Sequence, residues 1–366
     1  MRIISTSYSM TSSFDDPYKW LSRINFYTGI LEELAKQNEV ISLERINYAG
    51  ELFQNKVRYI FIEQEKEVEI FPGKMHTLIK EISPDIVLVN GFIFPLQVIQ
   101  LRLKIGPRPR IIVINRSETP GSGWRGLLQK LADRYVFAYL FPSERDGKKW
   151  IEKGIIREKN KIREVMHASS VLKKEDKKIA RQKLGIDGSP LFLWVGRLDA
   201  NKDPVTVVKA FIKFLDSQSN ARLYMIFQKD ELGIELKDLI EKSNTENSIR
   251  LVGKVEHEEL GNWYNAVDFF ISGSHAEGGG IAAIEAMSCG AIPILTRIPS
   301  FIQFSDKGRC GLLFDPGNLD ALHSFLLLTP ELDIESESQK VRERFASEFS
   351  LEAIAQKINA IIRDDQ

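Results

Sequence analysis

Two carboxylates and two cations in the second half of the chain have the types and spacing to handle a phosphorylated ligand. Glu277 and Glu285 are separated by seven residues in GSHAEGGGIAAIEAMSCG, residues 273–290. The apolar run Val267-Asp268-Phe269-Phe270-Ile271 precedes this stretch, and a helix-like segment closes it. Gly278, Gly279 and Gly280 stand at the turn between the two. A glycine-rich turn from strand to helix leaves backbone N–H groups at the positive end of the helix, which suits a phosphate. A carboxylate one to two turns into that helix reaches a sugar hydroxyl of the same ligand. The chemistry this describes is capture of a nucleotide diphosphate that carries a sugar.

The cations lie in LFLWVGRLDANKDPVTVVKAF, residues 191–211. A buried-strand run breaks at Gly196, and Arg197 and Lys202 occupy the loop that follows. Pro204 sits near the start of the next helix, where its fixed φ and missing N–H are tolerated. Two cations on a loop at the C-terminal end of a strand are placed to clamp a diphosphate. Either segment alone is common in α/β proteins, and surface Arg and Lys are usually just solvated. The two segments together are far more specific.

These elements belong to a longer alternation. Apolar runs at Arg2 to Ser5, Glu39 to Leu43, Asp85 to Val89, Arg110 to Ile114 and Tyr135 to Leu140 are separated by helical stretches. Continuous apolar strands between helices predict a parallel sheet covered on both faces. The turn-rich Leu184-Gly185-Ile186-Asp187-Gly188-Ser189-Pro190 reads as an interdomain linker. A second alternation follows, with strands at 191–195, 222–226, 249–252, 268–271 and 292–295. The expected organisation is a domain over 1–185, a second over 186–345, and an amphipathic C-terminal segment over 346–366.

With these residues in view, the chain resembles the retaining glycosyltransferases of the GT-B fold, in the large family 4 (glycosyl transferases group 1). The resemblance rests on Gly196-Arg197-Leu198 with Lys202 and on Val252-Gly253-Lys254-Val255 followed by His257-Glu258-Glu259-Leu260. It also rests on Tyr264 to Asp268, Glu277 to Glu285 with Ala286-Met287-Ser288-Cys289-Gly290, and Gly311-Leu312-Leu313-Phe314 with Pro316-Gly317-Asn318. It covers roughly residues 135 to 330 well and the N-terminal third only in outline. It implies two Rossmann-like, doubly wound domains facing across a cleft, with a C-terminal helix crossing back to the first.

The resemblance also implies roles. Gly196, Arg197 and Lys202 would hold the donor diphosphate, with the two cations stabilising its charge as it leaves. Lys254 and Val255 would contact the base. Glu277 would touch the donor sugar, Gly278, Gly279 and Gly280 would offer backbone N–H groups, and Glu285 would accept from the ribose hydroxyls. The implied reaction moves a hexosyl group from a nucleotide-sugar to a hydroxyl acceptor, a glycan, lipid-linked sugar or small molecule, with retention. No Asp-x-Asp pair follows an apolar strand, so the cations are expected to replace a metal, and no cofactor is expected.

The departures fall in the first domain. The region after the first strand, SYSMTSSFDDPYKW, lacks the glycine-rich turn of many relatives. Ile114 to Pro120 lacks the His that many place near the donor sugar. Gly279 stands where relatives usually carry a larger residue. Asn90, Arg116, Glu118 and His167 are the candidate cleft residues for donor or acceptor. Other readings stay open: a nucleotide-sugar-binding or scaffold protein without turnover, or another GT-B enzyme such as a phosphorylase or epimerase.

Composition bounds the rest. Hydrophobic content of 43% and charged content of 27% over 366 residues suit a globular protein of two ordinary domains. No apolar run reaches a membrane-spanning length, and MRIISTSYSM turns polar too early for a secretion signal. Cys289 and Cys310 read as reduced core residues of a cytoplasmic protein. Residues 101–185 hold 22 Lys and Arg against 9 Asp and Glu, within a chain of zero net charge. That excess suits an anionic membrane surface or a phosphorylated acceptor, with the chain peripheral at the inner membrane face. The segment Gly121 to Leu131, with Trp124 among basic and apolar residues at helical spacing, fits either an interfacial helix or one packed on a sheet. Nucleic acid is not an expected partner.

Overall fold

The computed structural model describes residues 1–62 and 70–364. It divides into two compact units, Met1–Ser169 with Leu351–Gln366 and Ser170–Ser350. The turn-rich 184–190 stretch, expected as the linker, lies inside the second unit. The reason is local: helix Lys177–Leu184 packs on helix His257–Ala266 of that unit. The C-terminal element likewise enters the first unit at Leu351 and not at 346, because helix Ile334–Glu348 still packs in the second. Residues 365 and 366 lie outside the described residues.

Unit 1 holds an eight-stranded sheet. Its strands are β1 (Arg2–Ser7), β2 (Glu39–Glu44), β3 (Gly50–Gln54), β4 (Val57–Phe61), β5 (Ile86–Asn90), β6 (Arg110–Ile114), β7 (Val136–Phe141) and β8 (Ile162–Glu164). Their spatial order is β3-β4-β2-β1-β5-β6-β7-β8. All neighbours pair in parallel except β3 and β4. Those two form a hairpin through Asn55 and Lys56, both at positive φ. A two-residue turn of that hand matches the twist of the flanking strands. The interior strands are runs of Val, Ile and Leu because both faces are covered.

The C-terminal helix Leu351–Arg363 packs on helix Asn25–Leu34. Gly29 makes this possible, since a Cβ there would stand 2.7 Å from Leu351 Cδ1. Asn38 Nδ2 donates to Asn359 Oδ1 at 2.9 Å, and Arg110 donates to the carbonyls of Ile362 and Asp364 at 3.2 and 2.8 Å.

Unit 2 holds six parallel strands, β9 (Leu191–Gly196), β10 (Arg222–Phe227), β11 (Ile249–Gly253), β12 (Phe269–Ser272), β13 (Ile292–Thr296) and β14 (Leu312–Phe314). Their order is β11-β10-β9-β12-β13-β14. The core gathers on Phe192, stacked on Phe269 at 5.0 Å and edge-on to Phe211 and Phe214. Each such buried ring contributes roughly 1.5–3 kcal/mol by leaving water. Among the described residues no helix is long and apolar enough to cross a membrane.

Asp268, buried before β12, ties three elements together. It accepts from Lys177 Nζ at 2.6 Å, Arg181 NH2 at 3.0 Å and the Leu191 amide at 2.8 Å. Removing it leaves two part-buried cations and a buried N–H without their acceptor. Asp268→Ala should therefore lose about 3–5 kcal/mol of stability in urea unfolding. A loss under about 1 kcal/mol would refute this role for the carboxylate.

Candidate functional site

In unit 2 the chain winds from β9 outward through β10 to β11, then returns to place β12 on the other side of β9. The order reverses between β9 and β12, and ligands of doubly wound sheets bind beyond the strand ends at such a point. The loops that leave these two strands are 197–203 and 273–280, which carry the sequence-derived candidates.

The loops are bonded to each other. The His275 amide donates to Asn201 O at 2.8 Å, and Asn201 Nδ2 donates to Ala276 O at 3.1 Å. His275 Nε2 lies 3.3 Å from Asp203 Oδ2. Asp203, at φ 43°, caps helix Pro204–Leu215 by accepting from the Thr206 amide. Gly273 sets the approach of the loops, and Gly280 the packing of the turn on Phe304. A Cβ at Gly273 would lie 2.8 Å from Asp203 O, and one at Gly280, φ 52°, would lie 2.6 Å from Phe304 Cε2. Gly280 is also the N-cap of helix Ile281–Ser288, which has no side-chain cap, so its first N–H groups stay available to a ligand.

Lys202 and Glu277 meet across the loops as an ion pair, with side chains 20% and 13% exposed. Ser274 Oγ donates to the same Glu277 oxygen at 2.7 Å. The enclosed space beside them is only about 30 Å³, lined by Val195, Phe270, Ser272 and Gly280 among others. That holds roughly one or two waters, so a diphosphate would lie over the loops and not within this cavity. Arg197 is not drawn into the pair. It is half exposed and bonds Asp199 at 3.1 Å. Gly196 ends β9, and a Cβ there would sit 3.0 Å from the Trp194 ring.

Glu285, on helix Ile281–Ser288, is buried and accepts from Tyr264 Oη at 2.9 Å, with His257 Nε2 at 3.2 Å. His257 begins the helix that follows Lys254 and Val255, so this contact links the β11 loop to the helix after β12. Lys254 itself is exposed and pairs with Glu256 at 2.6 Å. Sequence reasoning had placed His257 and Tyr264 in family motifs without giving them a task. The sign available was their polarity on a helix next to the expected ribose carboxylate.

Unit 1 has its own order reversal, between β1 and β5. A cavity of about 300 Å³ opens there, lined by Ser5, Ser7, Tyr27, Glu44, Asn90, Arg116 and Glu118 among others. Arg116 organises it. Its guanidinium donates to Asn90 Oδ1 at 2.7 Å and His167 O at 3.1 Å, and lies 4.4 Å over the Tyr27 ring. Glu118 Oε2 accepts from the Arg116 amide at 2.8 Å. Asn90 Nδ2 donates to Tyr27 Oη at 2.9 Å, which bonds Ser5 Oγ at 2.6 Å. Three of the four first-domain candidates thus converge. His167 contributes its carbonyl to Arg116, while its ring does not line the cavity.

Glu44 was not foreseen. It is buried at the end of β2, accepting from Trp20 Nε1 at 2.9 Å and Ser42 Oγ at 2.6 Å. Burial pushes the carboxyls of Glu44 and Glu118 up from their ordinary range, with the Arg116 charge among the opposing influences. Burial, and then the Arg116 charge, pulls His167 down to about 3. The imidazole is therefore neutral at pH 7, and its buried Nδ1 has no partner among the described residues.

Residues 176–345 match the family model described as Glycosyl transferases group 1. The chain is 27% identical over 198 residues to the alpha-monoglucosyldiacylglycerol synthase of Streptococcus pneumoniae, covering 53% of this chain and 44% of that protein. It is 28% identical over 130 residues to the GDP-mannose:cellobiosyl-diphosphopolyprenol alpha-mannosyltransferase of Xanthomonas oryzae, covering 35% and 34%. The matches thus span less than half the length of these curated relatives. In structure, a glycosyltransferase from Rickettsia africae superposes with TM-score 0.73 at 16% identity over 99% of this chain and 97% of that one. Anabaena Alr3699/HepE in complex with UDP-glucose gives 0.71 at 15% identity over 98% of each. The fold is that of GT-B glycosyltransferases, as the resemblance implied, and the match to group 1 is carried by unit 2.

The state of His167 has a measurable sign. Unfolded, it takes a proton near 6.5; folded, only near 3. Between those values the unfolded chain binds more protons, so stability is present above pH 6.5 and is lost as pH falls towards 3. By pH 5 the loss from this ring is roughly 2 kcal/mol. His76, pulled down to about 4 by burial, adds to the same slope, while Glu44 and Glu118 act in the opposite sense. Comparison with His167→Gln isolates the ring: the variant should lose less stability than wild type between pH 7 and pH 5 in urea unfolding. Parallel profiles would show that the ring does not titrate as described.

Proposed function

We propose that the chain is a glycosyltransferase that moves a hexosyl group from a nucleoside-diphosphate sugar to a hydroxyl acceptor, with retention and without a metal. The observation that carries this reading is the bonded pair of loops at the β9–β12 reversal, where Lys202, Glu277 and the open N-terminus of helix Ile281–Ser288 come together. The family match over residues 176–345 and the UDP-glucose complex of HepE support a nucleotide-sugar donor. Retention rests on the family resemblance.

In this reading unit 2 takes the donor. Lys202 and Arg197 face the diphosphate, and the amides at Gly278 to Gly280 and the helix end add positive potential. Charge grows on the diphosphate as the sugar's C1–O bond breaks, so these groups bind the transition state more tightly than the ground state. The acceptor oxygen bonds to C1 on the same face, and its proton leaves on the departing phosphate. Glu277 orients the sugar hydroxyls. Glu285 has about four lone-pair positions, two of them engaged by Tyr264 and His257, which leaves two for the ribose diol. Lys254 and Val255 border the base. Arg197 has to leave Asp199 to reach the phosphates; it is exposed enough to do so. Unit 1 takes the acceptor in the Arg116–Asn90–Glu118 cavity, whose hydroxyls, aromatic rings and paired charges suit a polyhydroxylated group.

A thermal-shift panel with UDP, GDP, ADP and TDP, with and without EDTA, tests the donor site. One nucleotide near 100 times its Kd should add about 2.7 kcal/mol to wild type, unchanged by EDTA, and little to Arg197→Ala/Lys202→Ala. Glu277→Ala should keep nucleotide binding and lose about 10²-fold or more in transfer rate. Nucleotide binding with no transfer in wild type would favour a binding protein, and no shift with any nucleotide would sink the donor site.

A further inference from the structure

Helix Gly123–Ala132 is inside out. Its buried residues are Gly126, Gln129 and Ala132. Its large apolar residues Trp124, Leu127 and Leu131 are 74%, 63% and 45% exposed. Their spacing of three and four places them on one stripe. A helix whose amphipathic pattern served the core would bury that stripe. The neighbouring helix Pro95–Ile105 packs on it and exposes Leu103, at 72%. Two adjacent helices of unit 1 therefore turn large apolar side chains outward.

The surroundings are basic. Apart from Arg110, which bonds the C-terminal helix, and Arg116 and Glu118, which belong to the cavity, the chain from Pro95 to Ala132 carries Arg102, Lys104, Arg108, Arg125 and Lys130 and no acid. Neither helix has an acid in its first turn, and both have a base in the last. An apolar stripe bordered by cations matches an interface of hydrocarbon and anionic headgroups. A second copy fits less well, because a symmetric contact sets two surfaces of the same sign against each other.

We propose that the outer face of helices Gly123–Ala132 and Pro95–Ile105 docks on an anionic lipid bilayer, with Trp124, Leu127 and Leu131 inserted at the headgroup boundary and Lys104 and Lys130 against lipid phosphates. The docking surface does not depend on the donor-site reading, and nucleotide shifts report on that site separately.

Flotation of the whole chain with vesicles tests it. Wild type should float with phosphatidylcholine vesicles containing about one third phosphatidylglycerol at low salt, and much less with phosphatidylcholine alone or at about 0.5 M salt. Trp124→Ser/Leu127→Ser/Leu131→Ser should cut binding at least tenfold, and Lys104→Glu/Lys130→Glu should do the same. Trp124, Leu127, Leu131 and Lys104 are exposed and Lys130 is partly exposed, and unchanged thermal unfolding and nucleotide shifts confirm that the variants are folded. Absence of wild-type flotation at low salt would overturn the proposal, as would equal flotation of the triple variant. A lipid-independent dimer abolished by the triple variant would overturn it in favour of self-association.

Discussion

The contact between the 197–203 and 273–280 loops is the constraint on which the rest of unit 2 depends. Any two adjacent strands of a doubly wound sheet put loops near each other at a reversal. Few put them close enough for backbone bonds and a shared ion pair. Here the approach is permitted by the missing side chain at Gly273 and is fixed by Asn201, His275 and Asp203. A Cβ at Gly273 would meet the backbone of Lys202 and Asp203, so the loops could not close as they do. Lys202 and Glu277 come from positions 75 residues apart, and this geometry is what makes them one site.

The ion pair inside that contact acts as preorganisation more than as stability. Both side chains are mostly buried, so their attraction is screened less than that of a surface pair. The same burial carries a desolvation cost that offsets much of the gain. What remains is a lysine held in one place, aimed at the end of a helix with open N–H groups. In the proposed reading a diphosphate would bring more negative charge than one carboxylate and would take hydrogen bonds from the helix end, and so would compete with Glu277 for Lys202. Arg197, half exposed and paired with Asp199, stands outside that pair.

Much of unit 2 was legible because its signals are local. β9, β10, β11, β12 and β13 are apolar runs read within a residue or two, and the Gly-rich turn and the two glutamates lie within one stretch of chain. β14 is three residues long, and the β3–β4 hairpin is interrupted by Glu51, Gln54 and Arg58, so neither carries a long apolar signal. The unit 1 cavity was harder to read. Ser5, Tyr27, Glu44, Asn90 and Arg116 lie on five separate segments, and only the sheet order brings them together. Asn90, Arg116 and Glu118 were reachable from strand-end position alone. Tyr27 and Glu44 gave no such sign, because a helix tyrosine and a strand glutamate are ordinary in sequence. The boundary between the units was misplaced for a related reason: Gly and Pro mark turns, but helix Lys177–Leu184 joins unit 2 through helix His257–Ala266 and Asp268, far along the chain.

The helix over 123–132 shows how one residue can decide a reading that periodicity leaves open. Its apolar stripe is equally consistent with a core-facing and an outward-facing helix. Gln129 settles the choice. Its side chain accepts from the Gly121 amide and donates to the Phe92 carbonyl, both at 2.9 Å. Those are the two groups that a buried amide needs satisfied. Rotating the helix to bury Trp124 would break both bonds and leave Gly121 N–H and Phe92 O without these partners. Such losses cost about 1–3 kcal/mol each, comparable to what burying the stripe would return. Gln129 also reaches the two loops that frame the unit 1 cavity, since Phe92 follows Asn90 and Gly121 follows Glu118. The inner face of the helix is thereby pinned to the walls of that cavity, and whatever binds the outer face acts on a segment already joined to them.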